Sequence, residues 1–297
     1  MNILGMGIAV VAAAFIGLGF VAQQHAAYRE PLEEILHPRL LLDLLRSRLW
    51  LAGIGSMITG QLIFAVALDM ADVAQVTPVL TVNLIFALVA AHVIYREPLG
   101  RHEWLGSLLL TGGVALFLGV GLPHGGSAPG AYSLRWLAGA AVLALVGLCA
   151  FGGLHRDLRV RAMLLACGAG LLYGLQDTMT RSVLLHADFG IKHSLATWQP
   201  YGLVFVGALG LLFAQSAFDA APLRISLPAT TAAEPLTGIA LSILIFGEEV
   251  QLSVAGLALE SLGLAAMVGG IILLGQSPYL GKPGEHPSVP SDGVKYP

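Results

Sequence analysis

The feature that most constrains this chain is a succession of nine apolar stretches, each close to the ~20 residues that cross a hydrocarbon core, filling nearly everything between residues 3 and 274. They fall at 3–22, 49–68, 73–95, 103–121, 134–151, 162–185, 198–217, 222–246 and 252–274. Backbone polar groups in lipid must be satisfied within the structure, so only helices or a closed barrel can span. These stretches are too long for barrel strands and lack their alternation. The expected fold is an all-α polytopic membrane protein, in line with a charged fraction of 11% against roughly 25% in soluble domains. Trp50, Trp104, Trp136 and Trp198 each lie at the start of a stretch, which predicts their rings at headgroup level.

Loop charge sets an orientation. Arg29, Arg39, Arg46, Arg48, Arg96, Arg101, Arg156, Arg159, Arg161, Lys282 and Lys295 fall on one side, whereas the other has Arg135 and Lys192. Positive residues stay cytoplasmic, so the N-terminus is predicted outside and the C-terminus inside a plasma or inner membrane. No basic residue precedes the first stretch, which reads as a retained helix rather than a cleaved leader. Between residues 28 and 48, leucines alternate with charges at helical spacing, the pattern of a helix lying on the inner membrane surface. The Pro-rich tail, 276–297, cannot bury a core and is expected to be disordered. Cys149 and Cys167 form neither a disulfide framework nor a metal motif and read as packing residues. A net charge of -3 points to no nucleic-acid partner.

Sliding the sequence by 150 residues pairs Asp69 with Asp219, Pro78 with Pro228, Thr81 with Thr231, Gly106 with Gly256, Gly113 with Gly263 and Gly119 with Gly269. One inserted residue also sets Glu97 opposite Glu248, and a weaker echo pairs Gly17 with Gly170 and Gln23 with Gln176. Spans one to four thus correspond to spans six to nine. The single fifth span between them would send the second half into the membrane in the opposite sense, as in the inverted repeats of secondary transporters. The expected organisation is one transmembrane domain over 1–275, with repeat one at about 1–125, a linking helix at 134–151 and repeat two at 160–275.

Val76, Thr77, Pro78, Val79 and Leu80, followed by Tyr95, Arg96, Glu97, Pro98, Leu99 and Gly106, resemble the third- and fourth-helix pattern of the drug/metabolite transporter superfamily (EamA-like). Within it, the four-plus-five layout is similar to that of the magnesium-transporter-like NIPA family. The resemblance implies a membrane transporter, with Mg2+ as the suggested cargo and no cofactor. In the second half, 228–236 looks more like general bacterial members of the superfamily.

The residues able to carry chemistry lie inside spans. Glu234 sits at the midpoint of the eighth, where a charge costs about 2.5–3.5 kcal/mol even on lenient scales and marks a pathway by default. Pro235 adjoins it, with Thr230, Thr231 and Thr237 nearby. Pro78, Pro228 and Pro235 each remove a backbone donor, leaving the carbonyls of Ala74, Arg224 and Thr231 without their usual partners. A carboxylate, hydroxyls and a freed carbonyl would make an oxygen-rich patch, which hard cations prefer. Glu234 and Glu260 are accordingly the candidate metal-contacting acids. Asp177 and Arg181 lie one turn apart and can pair. Asn83 is the first-half partner expected for Glu234, and Gln23 and Gln176 are further pathway candidates.

Three readings follow. A secondary transporter would move a small cationic or polar solute by alternating access. A proton-coupled exporter would trade protons at Glu234 or Glu260 for an organic metabolite. A non-transporting scaffold would use the 28–48 segment to bind a partner or lipid. No nucleophile motif, phosphate loop or metal-ligand cluster supports an enzyme.

Overall fold

The computed structural model describes residues 3–70, 79–97, 99–121, 132–187, 197–246 and 254–276. Among these residues all regular structure is helical: α1 (Ile3–Ala27), α2 (Pro38–Leu44), α3 (Arg48–Met70), α4 (Asn83–Tyr95), α5 (Arg101–Gly121), α6 (Tyr132–Gly153), α7 (Leu158–Ala187), α8 (Gln199–Ala220), α9 (Leu223–Phe246) and α10 (Val254–Gly275). Eight of them are long and apolar enough to cross a membrane. The third predicted span is represented by the shorter α4, because 73–78 lie outside the described residues, as does the tail 277–297.

Close approach at glycine fixes the packing, since lipid supplies no hydrophobic drive between helices and contact distance becomes decisive. A Cβ at Gly60 would stand 2.9 Å from the Ala12 carbonyl oxygen, and one at Gly53 would stand 2.9 Å from that of Gly19, so α1 and α3 run antiparallel. Parallel α7 and α9 meet where a Cβ at Gly174 would lie 2.6 Å from the Glu234 carbonyl oxygen. The antiparallel pairs α7–α8 and α5–α10 complete the main contacts, and α1 also packs on α8. The C-terminal ends of α1 and α8 meet through Gln23 and Gln215, so α1 runs parallel to α8 and opposite to α7. The arginine-rich ends of the helices consequently gather at one end of the bundle, hereafter the basic end.

Three expectations need correction. The 28–48 segment is no single surface helix. Leu36 adopts a left-handed φ of 64°, and Pro38, which cannot sit in a helix interior, starts α2 at its first turn. Only the turn Leu32–Glu34 and α2 remain helical. Ile35, Leu40 and Leu44 are buried against the bundle, and the Leu36 N–H donates to Ser216 Oγ of α8 at 2.9 Å. Trp50 is 4% exposed rather than lying in the headgroups, whereas Trp136 and Trp198 stay exposed and stack at 4.7 Å. The first helix continues to Ala27, and Gln23 and Gln24 are buried within it.

Candidate functional site

Glu234 lies in the twelfth position of the 24-residue α9, a continuous helix despite Pro228 and Pro235 inside it. Its position against α7 follows from two glycines. A Cβ at Gly170 would meet the Thr230 carbonyl oxygen at 2.7 Å and the Glu234 nitrogen at 3.0 Å, and one at Gly174 would meet the Gly238 nitrogen at 2.8 Å. With the backbones in contact, the Glu234 carboxylate interacts electrostatically with Asp177 and with the Tyr173 hydroxyl, both on α7. Asp177 is exposed and Glu234 half-buried. Two like charges that act on one another within a membrane span favour a proton or a cation near them.

The threonines are occupied differently from the predicted patch. Thr230 Oγ1 donates to the Ala166 carbonyl of α7 at 3.0 Å, Thr231 to Leu227 at 2.9 Å and Thr237 to Ala233 at 2.7 Å. Each hydroxyl thus spends its proton on a helix carbonyl, while its lone pairs stay available. Gln176 packs over Gly207 of α8, where an added Cβ would lie 3.1 Å from its Oε1. Asn83 Oδ1 and Glu260 Oε1 are buried without a hydrogen-bond partner. Among the described residues no three His, Cys, Asp or Glu side chains come together as a metal-holding group. Pro78 and the Arg181 side chain lie outside the described residues.

Gln23 lies in a buried polar chain. Trp50 Nε1–H donates to Gln215 Oε1 at 3.1 Å, Gln215 Nε2 donates to Gln23 Oε1 at 2.7 Å, and Gln23 Nε2 contacts Met57 Sδ. The chain ties α1 and α3 to α8, and each amide finds partners within it, as buried polar groups must.

A second charged constellation sits at the basic end. Arg96, with φ 55°, closes α4 in a left-handed turn, and His92 Nδ1 lies 2.6 Å from the Glu97 carbonyl oxygen. The Glu97 carboxylate so placed lies 3.6 Å from Arg224 Nη1 in the first turn of α9. Arg224 is 4% exposed. Burial pushes the Glu97 carboxyl above the ordinary carboxylate range, and Arg224 opposes that shift. The Tyr28 hydroxyl interacts with Glu97, Asp219 and Arg224 together. Asp219 is 1% exposed, and neither of its carboxylate oxygens has a hydrogen-bond partner. Sequence reasoning missed this group. The available signal was Arg224 itself, one of three arginines inside predicted spans with Arg135 and Arg181, because an arginine within a span needs a partner.

The family model described as "Magnesium transporter NIPA" matches residues 1–124. An uncharacterised protein of Corynebacterium glutamicum is 31% identical over 255 residues, covering 84% of this chain and 87% of that protein. A probable 4-amino-4-deoxy-L-arabinose-phosphoundecaprenol flippase subunit ArnE of Pseudomonas fluorescens is 38% identical over 80 residues, 27% of this chain and 69% of the subunit. No solved structure matches. The chain belongs to the family of the corynebacterial protein, as an integral membrane transporter of the drug/metabolite type whose first 124 residues carry the NIPA pattern.

Proposed function

We propose that the protein moves a small cationic or polar solute by alternating access of two inverted halves, with Mg2+ as the cargo to test first. The observation that carries this reading is the electrostatic interaction of two acids, exposed Asp177 and half-buried Glu234, brought near each other by the glycine contact of α7 with α9. Such a pair attracts a cation, and Mg2+ would keep several of its waters there. The opposed directions of α1 and α7 support the inverted repeat. So does a shared atom pattern: Gly17 receives the Asn83 carbonyl and the Ala87 nitrogen as Gly174 receives those of Glu234 and Gly238. The basic end is taken as cytoplasmic, which puts the N-terminus outside.

A second reading, proton-coupled export of a small organic metabolite, is favoured by the likeness to flippase subunits, whose named cargo is a lipid-linked sugar. In that reading Asp177 and Glu234 hold the coupling proton. Reconstitution into liposomes, with a panel of divalent cations and polar organic solutes and simultaneous recording of internal Mg2+ and pH, separates the two. Mg2+ flux abolished by Glu234→Gln supports the first. Proton flux that appears only with an organic solute supports the second, and neither flux with any cargo overturns both.

A further inference from the structure

The helices α6 and α7 form an antiparallel hairpin whose register can be read from three contacts. A Cβ at Gly153 would lie 3.3 Å from Arg161 Cγ, one at Gly152 would lie 3.7 Å from Leu164 Cδ1, and one at Gly168 would lie 3.7 Å from Cys149 Cβ. Each step back along α6 is met by a step forward along α7. Cys149 is thereby brought level with Cys167, the neighbour of Gly168, and the two thiols hydrogen-bond to one another. They are the two cysteines of the chain, and both are partly exposed. A disulfide needs Cβ atoms about 3.5–4.5 Å apart, and the Cys149–Gly168 contact shows that the helices approach that closely here.

The surface beside the pair is apolar. Leu148 and Phe151 of α6 are 66% and 73% exposed, and Cys149 lies four residues before the end of that helix, about 6 Å along its axis. An oxidant arriving over this face therefore travels through hydrocarbon, where a strongly hydrated molecule pays for its lost water. We infer that Cys149 and Cys167 form a reversible oxidation site for lipid-borne hydroperoxides, and that its product is a disulfide stapling α6, the helix that links the two halves, to α7. One sulfur attacks the outer peroxide oxygen and becomes a sulfenic acid, while the O–O bond breaks and the lipid leaves as an alcohol. The second thiol then attacks that sulfur, forming the S–S bond and expelling water. Two thiols lose two electrons and the hydroperoxide gains them. Because α6 packs chiefly on α7, the bond fixes the linking helix to the second half. Cytoplasmic thiols would reduce it again, as they do other intracellular disulfides of this transient kind.

The test uses the full chain in phospholipid vesicles that contain a phospholipid hydroperoxide or its alcohol, with a metal chelator present. The hydroperoxide should yield a Cys149–Cys167 linked peptide, lighter by two hydrogen atoms than the reduced pair, and dithiothreitol should restore both thiols. Cys149→Ser and Cys167→Ser each remove one partner. The variant that keeps the attacking sulfur should accumulate sulfenic acid, read as a dimedone adduct at least about tenfold above the parent, because capture by a neighbouring thiol in the same molecule outruns the trap. Should a serine variant fail to fold, alanine at the same position gives the same readout. Hydrogen peroxide supplied from the water in equal amount should give less linked peptide. Absence of the linked peptide, or no rise in dimedone adduct in either single variant, overturns the site. As much linked peptide with hydrogen peroxide overturns the lipid-borne oxidant.

Discussion

A Cβ added at Gly113 would lie 2.7 Å from the Gly263 carbonyl oxygen and 2.7 Å from the Met267 nitrogen, and one added at Gly263 would lie 3.0 Å from the Gly113 carbonyl oxygen and 3.0 Å from the Phe117 nitrogen. Each glycine thus meets the other and the residue four positions beyond it. The contact is its own image under a two-fold rotation, and it joins the very residues that the 150-residue shift aligns. Gly106 and Gly270 extend the seam, each Cβ falling against the other's carbonyl oxygen at 3.1 and 2.7 Å. Close approach of this kind is how membrane helices gain packing contact without a hydrophobic drive.

Gly113→Ala and Gly263→Ala should each destabilise by about 1–3 kcal/mol, the usual cost of overpacking where backbone must shift. Gly147→Ala, with nothing within 4 Å of its Cβ, should instead stabilise by up to about 1 kcal/mol through helix propensity. Thermal unfolding in detergent reads both signs, and equal effects at the two kinds of site would remove the seam from the account.

Glu234→Gln and Asp177→Asn should each abolish flux by more than about tenfold while leaving the protein folded in the membrane, because each removes the charge that a cation or proton must meet. Since each carboxylate lies in the other's electrostatic field, the double variant should lose little more than either single one. Normal flux in Glu234→Gln across a range of pH would move the role to Glu260, the remaining predicted acid.

Gln215→Ala should cost about 1–3 kcal/mol, because it strands the Trp50 N–H and the Gln23 carbonyl oxygen in a dry interior. Trp104→Phe, at an exposed site, should stay within about 0.5 kcal/mol. Comparable losses in the two variants would show that the buried polar chain contributes nothing specific.

The raised Glu97 carboxyl has a defined sign in the stability profile. The folded state holds the proton more tightly than the unfolded chain, so the stabilisation linked to Glu97 is complete below the ordinary carboxylate range. It is lost as pH rises through the folded value. Relative to Glu97→Gln, the parent should therefore gain in melting temperature as pH falls from about 8 to about 5. A parent that loses ground to the variant on acidification would mean that the Arg224 attraction outweighs burial.

The sequence by itself determined which segments are helical and apolar, and which loops carry the arginines, because hydrophobic length and local charge are properties of contiguous residues. It also singled out Glu234 and the pairing of Gly113 with Gly263. Tertiary structure decided which distant groups meet. Nothing local to Trp50 announces that it will be buried against Gln215, and nothing local to Leu36 that its N–H will reach Ser216. Alone, the threonines around Pro235 looked like an open oxygen patch. Once α7 packs on α9 through Gly170 and Gly174, Thr230 finds the Ala166 carbonyl within reach and donates to it. Arg224 and Glu97, one from each half, become partners only because antiparallel α4 and α9 bring their ends to one face of the bundle. Contacts of this kind depend on how closely helices approach, and helix spacing is set by facing surfaces that no single segment encodes.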